Sequence, residues 1–234
     1  MRALINIILY IVMPAVIMYL FEAYTHNPFK RMYPGIQLLN ICLFILINTC
    51  LFFMTGRLRT ALHIMAVVFM ILGLTEYYLV EFRGVTLLPW DLGSLKTAAE
   101  VAGGYDYIPG RRAVLCIAGF VIIYIIGFAA DLTVGRAYVL RAAGTAASLL
   151  LIILYTCLVQ MEPVQRSFGF YTKLFTPTAM SERDGTLTAF LIELRYMNVQ
   201  RPSGYDRDKA QEMLSQYACE EPDSQSADII VVMN

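Results

Sequence analysis

Apolar residues run through the first two thirds of this chain in long unbroken stretches, not in the half-apolar stripes of a soluble surface helix. Five stretches, residues 4–21, 36–54, 61–80, 113–130 and 142–160, approach the ~20 predominantly apolar residues that a bilayer crossing takes. Pro14 falls inside the first and is expected to kink that helix without ending it. An odd number of crossings places the two ends of the chain on opposite sides. The basic residues choose the side only weakly, with Arg57, Arg59, Arg136 and Arg141 in short loops against Lys30, Arg31, Arg83, Lys96, Arg111 and Arg112 in the others.

After Gln160 the pattern changes. Ser181 and Asp184 stand at N-cap and N3 spacing, and Leu187, Phe190, Leu191, Leu194 and Met197 then recur at helical intervals. The stretch "QRPSGY" breaks that helix. A second helix is expected from near Asp208, with Gln211 three residues on and Ala210, Met213, Leu214 and Tyr217 on one stripe. The closing "ADIIVVMN" reads as a strand buried on both faces, a form that needs neighbouring strands.

Composition supports the membrane reading. Hydrophobic residues make up 58% and charged residues 15%, with a mean hydropathy of +0.60, against about 45–50% and about 25% in soluble domains. The formal net charge is zero, so no electrostatic footprint argues for nucleic acid. Cys42, Cys50, Cys116 and Cys157 lie in apolar stretches and Cys219 stands alone, with no metal-ligand spacing among them. His63 reads as a structural histidine, and Asn6, Asn40 and Asn48 as hydrogen-bonding links between helices.

The connection "EYYLVEFRGVTLLPWDLGSLKTAAEVAGGYDYIPGRR" is too apolar for a free loop and too interrupted for a span. Asp91 or Ser94 can cap a helix from near Leu92, with Leu92, Leu95, Ala99 and Ala102 on one face and Gly103-Gly104 as its stop. Trp90, Tyr105 and Tyr107 suit the membrane interface. Glu76, Arg83, Trp90, Asp91 and Lys96 form the candidate site. They read either as a pocket for a lipid headgroup, with Arg83 and Lys96 on the phosphate, or as ion pairs fastening a surface helix to the bundle.

Three stretches, "EYYLVEFRGVTLLPWDLGSLKTAAEVAGGYDY", "FLIELRYMNVQRPSGYDRDKAQEML" and "ADIIVVMN", resemble the membrane-domain loop, the juxtamembrane helix and the first catalytic-domain strand of lipoteichoic acid synthase-like proteins. These are membrane phosphoglycerol transferases and sulfatase-like enzymes of the alkaline phosphatase superfamily. The resemblance covers most of 76–234 and implies an α-helical membrane protein with a five-span bundle at 1–160. Extracellular juxtamembrane helices at 161–226 and the first strand of a truncated α/β domain at 227–234 would follow. It implies a cytoplasmic N-terminus and an extracellular C-terminus. It also implies that the catalytic residues and their divalent metal, manganese, lie beyond Asn234, with none in this chain. A membrane phospholipid and the catalytic domain of the same chain are the implied partners. Sulfatase or phosphoethanolamine transferase chemistry, or a self-contained five-span binding or transport protein, are the alternatives.

Overall fold

The computed structural model describes residues 2–94, 107–173, 175–197 and 204–216. Among these residues the chain is helical, and its only β pairing is an isolated bridge between Arg57 and Thr133. Six helices come first: α1 (Arg2–Glu22), α2 (Pro28–Arg31), α3 (Pro34–Thr55), α4 (Leu58–Arg83), α5 (Arg111–Gly127) and α6 (Tyr138–Val159). Three shorter ones follow, α7 (Glu162–Phe168), α8 (Pro177–Asp184) and α9 (Thr186–Glu193). Asn198–Asn234 forms a separate unit, in which α10 (Arg207–Gln216) is described.

α1, α3, α4 and α6 are long and apolar enough to cross a membrane, at 21, 22, 26 and 22 residues. α1 continues through Pro14. The remaining stretch, predicted over 113–130, forms α5, which has 17 residues. At about 1.5 Å per residue it reaches about 26 Å, just under a hydrocarbon core of about 30 Å. Apolar side chains such as Leu4, Ile7, Leu115, Ile122, Leu150 and Ile153 are exposed, while Glu22, Asn40, Asn48 and Glu76 are buried. An apolar exterior around polar groups reverses the order of a water-soluble bundle and suits lipid.

α1 and α4 pack centrally, flanked by α3 and α5, and α6 leans on α3. Phe21, Phe44 and Phe69 meet at the centre, with Phe44 and Phe69 4.4 Å apart between ring centroids. At one end the α3–α4 turn pairs with the α5–α6 loop, Leu58 N donating to Leu132 O at 3.0 Å. Arg59 reaches Asp131 at 3.1 Å, and Asn6 Oδ1 accepts from Asp131 N at 3.0 Å. Asn6 therefore ties α1 to a loop, whereas Asn48 Nδ2 reaches Tyr10 O of a neighbouring helix at 3.5 Å. Arg141 donates to Phe53 O and Met54 O, closing the last turn of α3.

The opposite end is built from side chains far apart in sequence. Glu22, fully buried at the last position of α1, accepts from Thr186 N at 2.9 Å and from Thr186 Oγ1 at 2.9 Å. Thr186 opens α9, whose N-cap, Gly185, has no side chain to offer. The carboxylate of α1 thus caps the N-terminus of α9. Asn40 of α3 donates to Asp184 O at 2.9 Å and accepts from Thr188 Oγ1 at 2.8 Å, and Thr188 meets Tyr155 Oη at 3.1 Å. Thr178 Oγ1 donates to Gly84 O at 2.9 Å, so α8 also rests on the end of α4.

Several predicted details change. Ser181 lies inside α8 and hydrogen-bonds Thr186 at 2.9 Å; it caps nothing, because Gly185 divides the predicted single helix in two. The stripe Leu187, Phe190, Leu191 and Leu194 is half-buried and Met197 is exposed. The inward face of α9 carries Thr186, Thr188, Ala189, Ile192 and Glu193, and it meets both the polar groups Glu22 and Asn40 and a small apolar core, against which Leu187 and Leu191 also pack. Around α10, Asp206 Oδ1 accepts from Asp208 N at 3.0 Å, so the capping residue is Asp206 and not Asp208. Met213 and Leu214 on its predicted stripe are exposed. Residues 89–94 form a 3₁₀ turn. The rest of the helix predicted from Leu92, the Gly103-Gly104 stop, Tyr217 and the predicted strand at 229–233 lie outside the described residues.

Gly185 has φ +84 and ψ 138, a conformation open almost only to glycine. A Cβ there would stand 2.5 Å from Asn40 Oδ1. Gly185→Ala is expected to lower stability by about 1–3 kcal/mol from the backbone alone. Thermal melting of the purified protein in detergent should drop accordingly. An unchanged melting point would mean that α8 and α9 do not hold to the bundle as described.

Candidate functional site

The last two turns of α4 carry Glu76 and Arg83 toward the loop that follows. Gly84 closes that turn, its N–H on Val80 O at 3.0 Å. The chain doubles back through 85–88 into the 3₁₀ turn Pro89–Ser94, which packs against the turn Leu194–Met197 after α9. The end of α4, the loop that follows it and the distant turn Leu194–Met197 therefore meet at one corner of the bundle.

Arg83 and Asp91 form a bidentate pair, Nη1 to Oδ1 at 3.1 Å and Nη2 to Oδ2 at 2.8 Å. Asp91 Oδ2 also accepts from Leu88 N at 2.9 Å. Burial pushes the Asp91 carboxyl up, but the Arg83 hydrogen bonds, the Leu88 amide and the Arg83 charge outweigh it and hold its pKa below the usual value. Glu76 faces elsewhere: its carboxylate accepts from Leu87 N at 3.1 Å, and no ion pair joins it to Arg83 among the described residues. Trp90 is 51% exposed at the rim. Lys96 lies outside the described residues.

The guanidinium of Arg83 is thus engaged in folding the loop. Its side chain remains 45% exposed. The corner gains a residue that reading along the loop did not reveal. Glu193, at the end of α9, is 3% exposed, and burial together with the charges of Glu76 and Asp91 raises its pKa to about 7. The signal available was a lone charge within "AFLIEL", an apolar helical run where an acid is costly unless paired. Elsewhere in the bundle, His63 stacks on Tyr124 at 4.1 Å. No cluster with metal-ligand composition occurs among the described residues.

The two acids titrate with opposite effect. Asp91, with a depressed pKa, contributes stability at neutral pH that is lost as pH falls through that pKa. Glu193, raised from 4.5 to about 7, leaves stability intact below its unfolded pKa, and stability falls as pH rises from there until about 7, where the folded form ionises too. Glu193→Gln is therefore expected to flatten the alkaline side of a melting-temperature profile between about pH 5 and pH 8. A profile as steep as that of the parent protein would show that Glu193 ionises freely.

Compared with family models, with curated proteins and with solved structures, the chain matches none.

Proposed function

We propose that this chain is the membrane-anchor portion of a lipoteichoic acid synthase-like phosphoglycerol transferase. α1, α3, α4, α5 and α6 serve as its five spans, α5 being short enough to fit where the bilayer adapts locally. The complete enzyme would move glycerol phosphate from a phospholipid headgroup to a cell-envelope polymer. Its nucleophile and divalent metal would belong to a domain that follows this chain. The anchor supplies proximity, since holding a catalytic domain at the surface raises the effective concentration of lipid headgroups.

The observation that best supports this reading is the cap that Glu22 places on α9. It fastens the segment after the last span rigidly to the bundle end, as a platform for a following domain requires. The runner-up, a self-contained binding or transport protein, would draw on buried carboxylates in the bundle. Glu22 and Glu76 are both occupied by backbone amides, of Thr186 and Leu87, which favours the anchor.

Two experiments test the proposal. A phosphatase reporter fused after Asn198 is expected to be active, with a fluorescent protein inserted at Gly135 remaining cytoplasmic. The reverse pattern would invert the topology and remove the external platform. In the gene, Glu and Ser directly after Asn234, with an Asp-His pair downstream, is the continuation expected. A stop codon after Asn234 in a functional product would leave the transport reading.

A further inference from the structure

Two adjoining grooves lie between the end of α1 and the start of α5. One, of about 520 Å³, is lined by Val16, Tyr19, His26, Phe29 and Arg112 among others. The second, of about 530 Å³, is lined by Arg111, Leu115 and Cys116, and the two share Leu20, Ala23 and Arg112. Arg111 and Arg112 are exposed, and neither joins an ion pair among the described residues. Arg112 is held in place by donating to Thr25 O at 2.6 Å. Among the described residues, Glu22, 3.7 Å from His26, is occupied by Thr186, and Glu182 is paired with Arg31 at 3.4 Å.

Two further observations give the groove its sign. Gly110 offers no side-chain cap to α5, so the first amides of that helix add positive potential beside the two arginines. His26 lines the groove and is 5% exposed; its Nε2 faces Glu22 Oε2 at 3.7 Å and has no hydrogen-bond partner among the described residues. Burial first, and then the charges of Arg112 and Arg31, lower its pKa to about 4, the second cause registering the positive charge nearby.

Polarity also runs along the groove in one direction. Arg111 and Arg112 stand at the helix end, Leu115 lies about one turn inward on α5, and Leu20 and Val16 lie progressively deeper on α1. Leu115 is 61% and Val16 38% exposed, so the apolar part opens sideways, where lipid chains lie. A soluble anion has no use for such a wall.

The geometry points to a site for one anionic glycerophospholipid, its phosphodiester on Arg111 and Arg112 and an acyl chain along Leu115, Leu20 and Val16. It lies apart from the Arg83–Asp91 corner and does not rest on the anchor reading, since any bundle with this groove would hold such a lipid. The test is native mass spectrometry of the full chain in detergent, titrated with phosphatidylglycerol and phosphatidylcholine, with inorganic phosphate as competitor. Phosphatidylglycerol should bind at least about tenfold more tightly than phosphatidylcholine, as charge-assisted contacts to a net anion imply. Arg111→Gln, which removes a side chain without hydrogen-bond or ion-pair partners among the described residues, should weaken it by about tenfold or more with melting unchanged. Leu115→Trp should weaken it too by filling the acyl wall, and excess phosphate should not displace it. Equal binding of the two lipids, or unchanged affinity in both variants, would overturn the site. Displacement by phosphate with no effect of Leu115→Trp would make it a free-anion site and also overturn the proposal.

Discussion

Glu22 ends α1 with a carboxylate that no water reaches, and it keeps its place by capping a helix 164 residues away. A buried carboxylate costs several kcal/mol unless donors satisfy it. Here the donors are the amide and hydroxyl of Thr186, at the positive end of α9. The dependence is mutual, because α9 follows Gly185 and has no capping side chain of its own. Separate the two and a carboxylate and a helix N-terminus are both left unsatisfied, a penalty of about 1–3 kcal/mol for the buried amide alone. The contact therefore specifies one docked arrangement more than it adds net stability.

The remaining contacts at this end depend on that arrangement. With α9 docked, Gly185 lies against Asn40, and Asn40 bridges Asp184 O and Thr188. Asp184 in turn takes the amide of Tyr171 on both carboxylate oxygens at 3.0 Å. The end of α9 then brings Glu193 to the corner where Arg83 folds the loop onto Asp91. A second small core of Leu43, Tyr155, Val159, Phe170, Met180 and Ile192 fills the space beneath.

The membrane helices were legible because their signal is local. A run of apolar residues needs nothing but its own length to declare itself, and α1, α3, α4 and α6 follow the predicted stretches closely. The bundle end was not legible in the same way. Ser181 and Asp184 have the spacing of a helix start, but that motif ignores what a carboxylate 164 residues earlier can do. The apolar stripe on α9 does reach an apolar core through Leu187 and Leu191, but it gave no sign of Glu22 and Asn40 beside that core. At the candidate site the sequence left ion pairs open without naming partners, and the structure pairs Arg83 with Asp91, eight residues on. Glu193 entered by tertiary packing, and Glu76 turned from the nearby arginine to a backbone amide.

A clamp of this kind makes the end of the bundle a rigid platform, which is the physical core of the anchor reading. Amide hydrogen exchange of the full chain in lipid nanodiscs, comparing the parent protein with Glu22→Ala, tests that clamp most directly. The account predicts that the amides of Thr186–Glu193 and Pro177–Asp184 lose most of their protection together in the variant, while those of α3 and α4 keep theirs. Unchanged protection of α8 and α9 without the Glu22 carboxylate would contradict it.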